Sequence, residues 1–269
     1  MSSMMKVVVC VKQVPEITDV KVNPETGTLI REGITSILNP FCEYALDHAL
    51  NLKSAIPGIE IIALTMGPPQ AKSALLRCLD LGADRAVLIS DRKFAGADTW
   101  ATALTLAAAV RIAVPDFSLI LMGKQAIDGD TAQVGPEVAE ILSLPQITYG
   151  VEIKLTLNQK RIRVKRETEN GYDVLEARLP AMVSISKGEP IRRVPSFQDV
   201  LDARMKEISG LSADDLGLDE SELGLKGSYT QVVRVFPPQQ KQGGLKFEDI
   251  EPEVAARKIA AFLREERFI

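Results

Sequence analysis

The chain holds 269 residues, 46% of them hydrophobic and 5% aromatic, with a formal net charge of −4. That length suits one large α/β domain or a domain with an appendage, with a core built mainly from Val, Ile, Leu and Ala. The charge argues against a nucleic-acid binder, which carries a basic face, and no apolar run approaches the ~20 residues that span a bilayer.

The first residues lack the apolar core and cleavage site of a signal peptide, so residues 6–11 read as the first strand. Cys10, Cys42 and Cys78 show no CxxC spacing and cannot all pair, which predicts structural thiols in a reducing cytoplasm. Two β-like runs flank the turn-rich residues 23–28 and suggest a hairpin over about 19–31, either an excursion or a contact for a partner chain. Phe41, Ala45, Leu46, Ala49 and Leu50 then form a helical stripe after Asn39-Pro40. His48, the single histidine, lies beside Asp47 and Asn51 on the polar side of that helix and is expected in solvent. A multi-histidine metal site is excluded, and imidazole acid–base chemistry is not expected. Residues 59–66 form the second strand. A helix carrying Ala71, Ala74, Leu75, Cys78 and Leu79 follows and stops at Gly82. Residues 86–90 form a third strand, Asp98 or Thr99 caps a helix running to Val110, and residues 119–122 form a fourth strand. Strands alternating with helices predict an α/β fold: a doubly wound, mainly parallel sheet covered on both faces.

The stretch Gly123-Lys124-Gln125-Ala126-Ile127-Asp128-Gly129-Asp130-Thr131-Ala132-Gln133-Val134-Gly135-Pro136 joins the fourth strand to a helix over 137–142. A strand, a Gly-rich turn and a helix start place free backbone N–H groups at the carboxyl edge of a sheet, where they can hold a phosphate without a basic side chain. The same residues also suit an ordinary strand-to-helix connection. After Pro145 the pattern turns β-rich, with strands over 151–157, 161–165 and 172–178. Arg161, Arg163 and Lys165 share one face, either solvated or docking on an acidic partner. Pro190 and Pro195 exclude regular helix over 187–195, and Ser196 caps a helix to about 208. An acidic segment (214–224) and a linker marked by Pro237-Pro238 and Gly243-Gly244 follow. The final helix, 251–267, puts Ala255, Ile259, Phe262 and Leu263 on one face. The expected organisation is a nucleotide-binding core over 1–208, then a linker and helix over 209–269 packing on the core or on a second subunit.

Several separated motifs resemble the beta subunits of electron-transfer flavoproteins. They are Val11-Lys12-Gln13-Val14-Pro15, Asn39-Pro40-Phe41, Met66-Gly67-Pro68-Pro69, Leu81-Gly82-Ala83-Asp84-Arg85 and the 123–136 loop. A signature-like stretch runs from Val164-Lys165-Arg166 to Leu179-Pro180-Ala181, with Asn170 and Asp173 departing from the usual wording. The resemblance covers nearly the whole chain. It implies a Rossmann-like fold binding an adenine nucleotide through Cys10, Asn39, Pro40, Phe41, Cys42, Met66, Gly67 and residues 119–135. Asp128 or Asp130 would accept from ribose hydroxyls, and the N–H groups of residues 131–134, the Thr131 hydroxyl and the Gln133 amide would hold phosphate. Gly129 and Gly135 would leave room for close approach.

Residues 67–71, 90–99 and 130–136 look like the bifurcating subgroup, which binds FAD here rather than AMP. The resemblance therefore implies contacts from Asp91, Arg92, Phe94 and Thr99, with a flexible Phe94-Ala95-Gly96 loop covering the flavin ring and Arg92 facing an NADH phosphate. Lys187, Gly188, Glu189, Pro190 and Ile191 align with the family's partner-recognition loop but depart from its wording. The implied role is an FAD-binding subunit that takes electrons from NADH. It would divide them between ferredoxin and the FAD of an alpha subunit serving an acyl-CoA dehydrogenase or reductase, with no catalytic side chain of its own. The alternatives are an AMP-binding structural beta subunit and a nucleotide-sensing module without redox function.

Overall fold

The computed structural model describes residues 5–16, 36–156, 158, 160–187, 193–233, 246 and 248–269. The expected 19–31 hairpin, the Pro237–Gly244 linker and residues 188–192 lie outside the described residues. The larger of two compact units extends to Val233, and the smaller takes in the chain from Arg234 onward.

The elements alternate as the hydrophobic pattern predicts. β1 (Met5–Cys10) is followed by a short antiparallel ribbon of β2 (Gln13–Pro15) and β3 (Ser36–Leu38), then α1 (Pro40–Ala55). Next come β4 (Ile59–Met66), α2 (Lys72–Leu81), β5 (Arg85–Ile89), α3 (Thr99–Ala113), β6 (Leu119–Gly123) and α4 (Val134–Ile141). The second half adds β7 (Gln146–Thr156), β8 (Arg161–Thr168), β9 (Gly171–Arg178), β10 (Ala181–Ile185), α5 (Phe197–Met205) and β11 (Ile208–Leu211). A nine-stranded sheet runs in the order β11-β5-β4-β1-β6-β10-β7-β8-β9. It is parallel from β11 to β7, and the β7-β8-β9 extension is antiparallel.

Both faces are covered because alternate residues of the central strands are apolar in both directions. Val7 and Val9 of β1 belong to the apolar layer that also holds Leu46 of α1, Leu75 of α2 and Ala203 of α5. Val8, between them, joins Leu106 and Val110 of α3 and Val138 of α4 on the other side. The fold is therefore a doubly wound α/β sheet with a β-rich addition.

Two strands depart from the sequence pattern. β10 is buried at all five positions and sits between β6 and β7. Its residues carry no two-residue alternation to mark a strand, because both faces are covered. β11 adds an edge beside β5, so residue 208, expected to end the core, begins a strand instead. α4 starts three residues earlier than predicted, since Pro136 in its first turn has no N–H to waste there. In the smaller unit, α6 (Pro252–Glu265) opens with Pro at its first turn.

Candidate functional site

The strand order reverses around β1: β4 and β5 lie to one side of it, β6 and β10 to the other. Open parallel sheets bind ligands at such a switch point, beyond the carboxyl ends of the strands. Here those ends are Cys10, Met66, Ile89, Gly123 and Ile185. The first four are where the sequence places its candidate residues.

Asn39 joins the two halves. It precedes α1 at the N-cap position, yet its side chain does not cap the helix. Its Nδ2 instead donates to the Gln125 carbonyl at 2.8 Å and to Cys42 Sγ at 3.2 Å, and its Oδ1 accepts from Ile127 N at 3.2 Å. At 1% exposure this amide is fully buried, so each of those partners spares a desolvation cost. Its backbone N–H donates to the Lys12 carbonyl, and Lys12 Nζ in turn holds both Asp128 oxygens at 2.8 and 2.9 Å. The β1 and β6 loops are thereby stitched together through both backbone and side chains.

Close packing explains one glycine. A Cβ on Gly123 would lie 2.7 Å from the Phe41 carbonyl carbon and 2.8 Å from Cys42 N, so α1 can meet the end of β6 only if that side chain is absent. Gly135 is different. A Cβ there would meet Met182 Cε at 3.5 Å, ordinary contact on the sheet side rather than on the loop side. Gly129 is open, with nothing among the described residues within 4 Å. The room expected at Gly135 for a phosphate is thus directed toward β10.

The loop itself turns at Ala126, whose carbonyl accepts from the N–H groups of Gly129 and Asp130. Asp130 and Ala132 both adopt left-handed φ values, 55° and 56°, where non-glycine residues cost about 1–3 kcal/mol each. Gln133 returns to the right-handed region before α4 begins. The change of hand from Ala132 to Gln133 is of the kind that forms an N–H nest suited to anions. The Gln125 amide holds Asp130 Oδ1, leaving Asp130 with its other oxygen, whereas both oxygens of Asp128 are committed to Lys12.

Cys10, at the end of β1, and Cys42, in the first turn of α1, are both buried. Burial, then the neighbouring Cys42, pushes the Cys10 thiol up to about 12. Burial likewise raises Cys42, so both are neutral thiols rather than nucleophiles. Lys124 lies over the Phe41 and Tyr149 rings at 5.5 and 5.3 Å. At the end of β4, Gly67 N donates to the Ile89 carbonyl, and Pro68-Pro69 lead into a single 3-10 turn ahead of α2.

The 91–99 segment departs from its expected role. Phe94 is only 5% exposed and packs in the apolar layer with Ile89, Leu106, Leu216 and Leu223, so its ring is not free to cover a flavin. The segment is also tied down. Asp91 accepts from Lys93 N at 3.0 Å and Ala213 N at 3.2 Å, and Lys93 N holds its carboxyl below the usual range, with Ala213 N adding to it. Leu225 N donates to the Ala95 carbonyl. Asp98 caps α3 through Ala101 N and accepts from both N and Oγ1 of Thr230, while Asp98 N donates to Ser228 Oγ. Trp100 meets Tyr229 with ring centroids 6.0 Å apart. Arg92 lines an open cleft of about 200 Å³ with Lys93, Glu220, Leu225 and Lys226. Thr99 Oγ1 donates to Glu137 Oε1 at 3.0 Å. Glu137 and residues 213–230 are absent from the sequence-derived set, and no motif marks either.

His48 corrects another expectation. It is half-buried, its Nε2 lies 3.4 Å from the Lys187 carbonyl, and burial lowers its pKa, so it is not a freely solvated imidazole. Lys187 itself is exposed and bonds Glu167 at 2.8 Å. On the basic face of β8, Arg161 pairs with Glu176 at 3.6 Å and Lys165 lies 4.4 Å over the Tyr172 ring.

An open, mainly parallel sheet wound on both faces, with loops stitched together at its switch point, defines a Rossmann-like α/β protein. The chain belongs to the electron transfer flavoprotein family, whose domain model matches residues 26–216, and it falls with the family's beta subunits. It is 44% identical over 265 residues to the caffeyl-CoA reductase-Etf complex subunit CarD of Acetobacterium woodii, covering 98% of this chain and 100% of that one. It is 45% identical over 252 residues to the electron transfer flavoprotein subunit beta of Megasphaera elsdenii, covering 91% and 93% of the two chains. Protein FixA of Azorhizobium caulinodans is 44% identical over 244 residues, covering 88% and 86%. Among the described residues no helix is long and apolar enough to cross a membrane.

Proposed function

We propose that this chain is the beta subunit of an electron transfer flavoprotein and holds FAD in the crevice between the β1, β4 and β6 loops. In this reading it pairs with a flavin-bearing alpha subunit, takes electrons from NADH, and passes them to ferredoxin and, through the alpha subunit, to an acyl-CoA dehydrogenase or reductase in the cytoplasm. The observation that carries the reading is the 130–134 turn, where left-handed φ values at Asp130 and Ala132 are held beside the Asn39 junction. Such strain persists where surrounding structure over-determines it, and that is common at ligand clamps. Similarity to a subunit named for a reductase-Etf complex supports a place in a reductase complex.

A bound flavin supplies the redox chemistry, while the chain binds, orients and tunes its electrostatics. Backbone N–H groups of residues 131–134 take the diphosphate, assisted by the α4 dipole. The free oxygen of Asp130 accepts from a ribose hydroxyl. The neutral thiols of Cys10 and Cys42 keep the crevice floor uncharged. Lys12 neutralises Asp128 and so removes a carboxylate that would repel the phosphates.

Denaturing extraction of nucleotide from the chain co-produced with its alpha subunit tests the reading. Two FAD and no AMP per heterodimer, with flavin bleached by NADH under anaerobic conditions, is the expected result. One FAD plus one AMP without bleaching would establish the AMP-binding alternative. Thr131→Ala combined with Gln133→Ala should lower nucleotide retention, and unchanged retention would move the site elsewhere.

A further inference from the structure

The basic residues of β8 take no part in the nucleotide reading. Ile162 and Val164 are buried, so Arg161, Arg163 and Lys165 stand on the opposite face of the strand. Residues paired across an antiparallel ladder share a face. Lys154 of β7 and Glu176 of β9 flank Arg163, Glu152 and Val174 flank Lys165, and Arg178 stands opposite Arg161. This face therefore carries five cations against two carboxylates, on a chain whose formal net charge is −4. Both carboxylates are engaged, Glu152 by Lys154 at 2.6 Å and Glu176 by Arg161 at 3.6 Å. Arg163 and Arg178 are exposed and have no ion pair among the described residues. Tyr172 and Val174, on the same face of β9, are 52% and 53% exposed, and the Lys165 ammonium lies over the Tyr172 ring. Arg and Tyr are side chains enriched at protein interfaces. The face also lies on the cofactor side of the sheet. β7 pairs with β10 only as far as Gly150, opposite Ile185 at the carboxyl end of that strand, and residues 152–156 run on past it beside β8.

We propose that this face docks a small acidic electron-carrier protein, with Arg163 and Arg178 as the cations free to meet its carboxylates. The surface rests on the ferredoxin arm of the reading above and adds to it the place where the carrier binds. A thiolate-held iron–sulfur cluster adds negative charge to that of the carrier's carboxylates. A second copy of this chain would bring like charges together at the face, and a nucleic-acid partner is at odds with an acidic chain. Attraction of this kind raises the encounter rate and is screened by salt.

The test measures binding of the chain, paired with its alpha subunit, to purified oxidised ferredoxin held on a sensor surface. Arg163→Glu with Arg178→Glu should lower the association rate by about 10-fold at low salt. The deficit should shrink in about 1 M salt, where the screening length is about 3 Å. Arg163→Lys with Arg178→Lys keeps both charges and should stay within about 2-fold of wild type. An association rate unmoved by the two Glu substitutions, or a wild-type rate indifferent to salt, would overturn the surface. So would loss of alpha-subunit pairing in the Glu variant, which would make the face a subunit contact. Equal wild-type affinity for a duplex oligonucleotide would overturn it as well, as a general polyanion surface. Wild-type protein that binds no ferredoxin even at low salt would sink the ferredoxin arm and the surface with it, a result distinct from binding that ignores the substitutions.

Discussion

Replacing Gly123 by Ala tests the account of how α1 meets the central sheet. The added carbon would sit 2.7 Å from the Phe41 carbonyl carbon and 2.8 Å from Cys42 N, both on the backbone of the first helical turn. Neither atom belongs to a flexible side chain, so relief requires α1 to shift as a body or β6 to bend. Overpacking of this kind costs about 1–3 kcal/mol. At about 2–4 °C per kcal/mol for a domain of this size, the midpoint should fall by roughly 2–12 °C. Displacement of α1 would also stretch the Asn39 bonds to Gln125 and Ile127, so nucleotide retention should fall together with stability. Gly135→Ala is the matched control. Its Cβ meets only ordinary contacts with Met182 and Ser184, and alanine within a helix gains about 0.5–1 kcal/mol over glycine. Thermal unfolding followed by circular dichroism reads both variants. If Gly123→Ala melts with wild-type Gly123 while Gly135→Ala falls, the assignment of close approach is wrong.

Asp47 should make stability pH-dependent. Burial raises its carboxyl from 3.8 to about 6, with Arg193 and Arg77 opposing and Glu43 adding. The folded state therefore holds this proton more tightly than the unfolded state, so its contribution is complete below about pH 4 and fades as pH rises through about 6. Asp47→Asn should match wild type in acid and melt higher at neutral pH, and a gap that does not change with pH would refute this. Asp98→Ala removes the cap of α3 and should cost about 0.5–2 kcal/mol. Hydrogen exchange at Thr230 N, which donates to Asp98, should accelerate beyond what that global loss explains, and protection that falls only in step with stability would count against the clasp.

The parallel core was legible because βα alternation leaves apolar runs and helical stripes of different period. The 123–135 loop was legible as well, since glycines and short polar residues between a strand and a helix advertise a turn. β10 was not, because a strand covered on both faces reads as a short run of four apolar residues and a serine after a proline. Phe94 misled for a related reason. An aromatic beside Ala and Gly looks like a loop tip, and only the return of residues 213–225 across it turns that tip into core. Glu137 was invisible because its partner lies on another helix, 38 positions away. Pairings that depend on the return path of the chain leave no local period or spacing to read.

The Asn39 junction also sets an order of events. Two of its partners lie 86 and 88 positions further along the chain, beyond two complete strand–helix crossovers. Contacts of such separation must wait for the intervening loops to close, which makes them late in the search for the native state. On the ribosome the amide would have only its local partner Cys42 until β6 has emerged and docked beside β1. Cofactor capture would then be a maturation step performed on an assembled sheet, with apo-protein as the normal product of synthesis and loading governed by how much free nucleotide the finished chain meets.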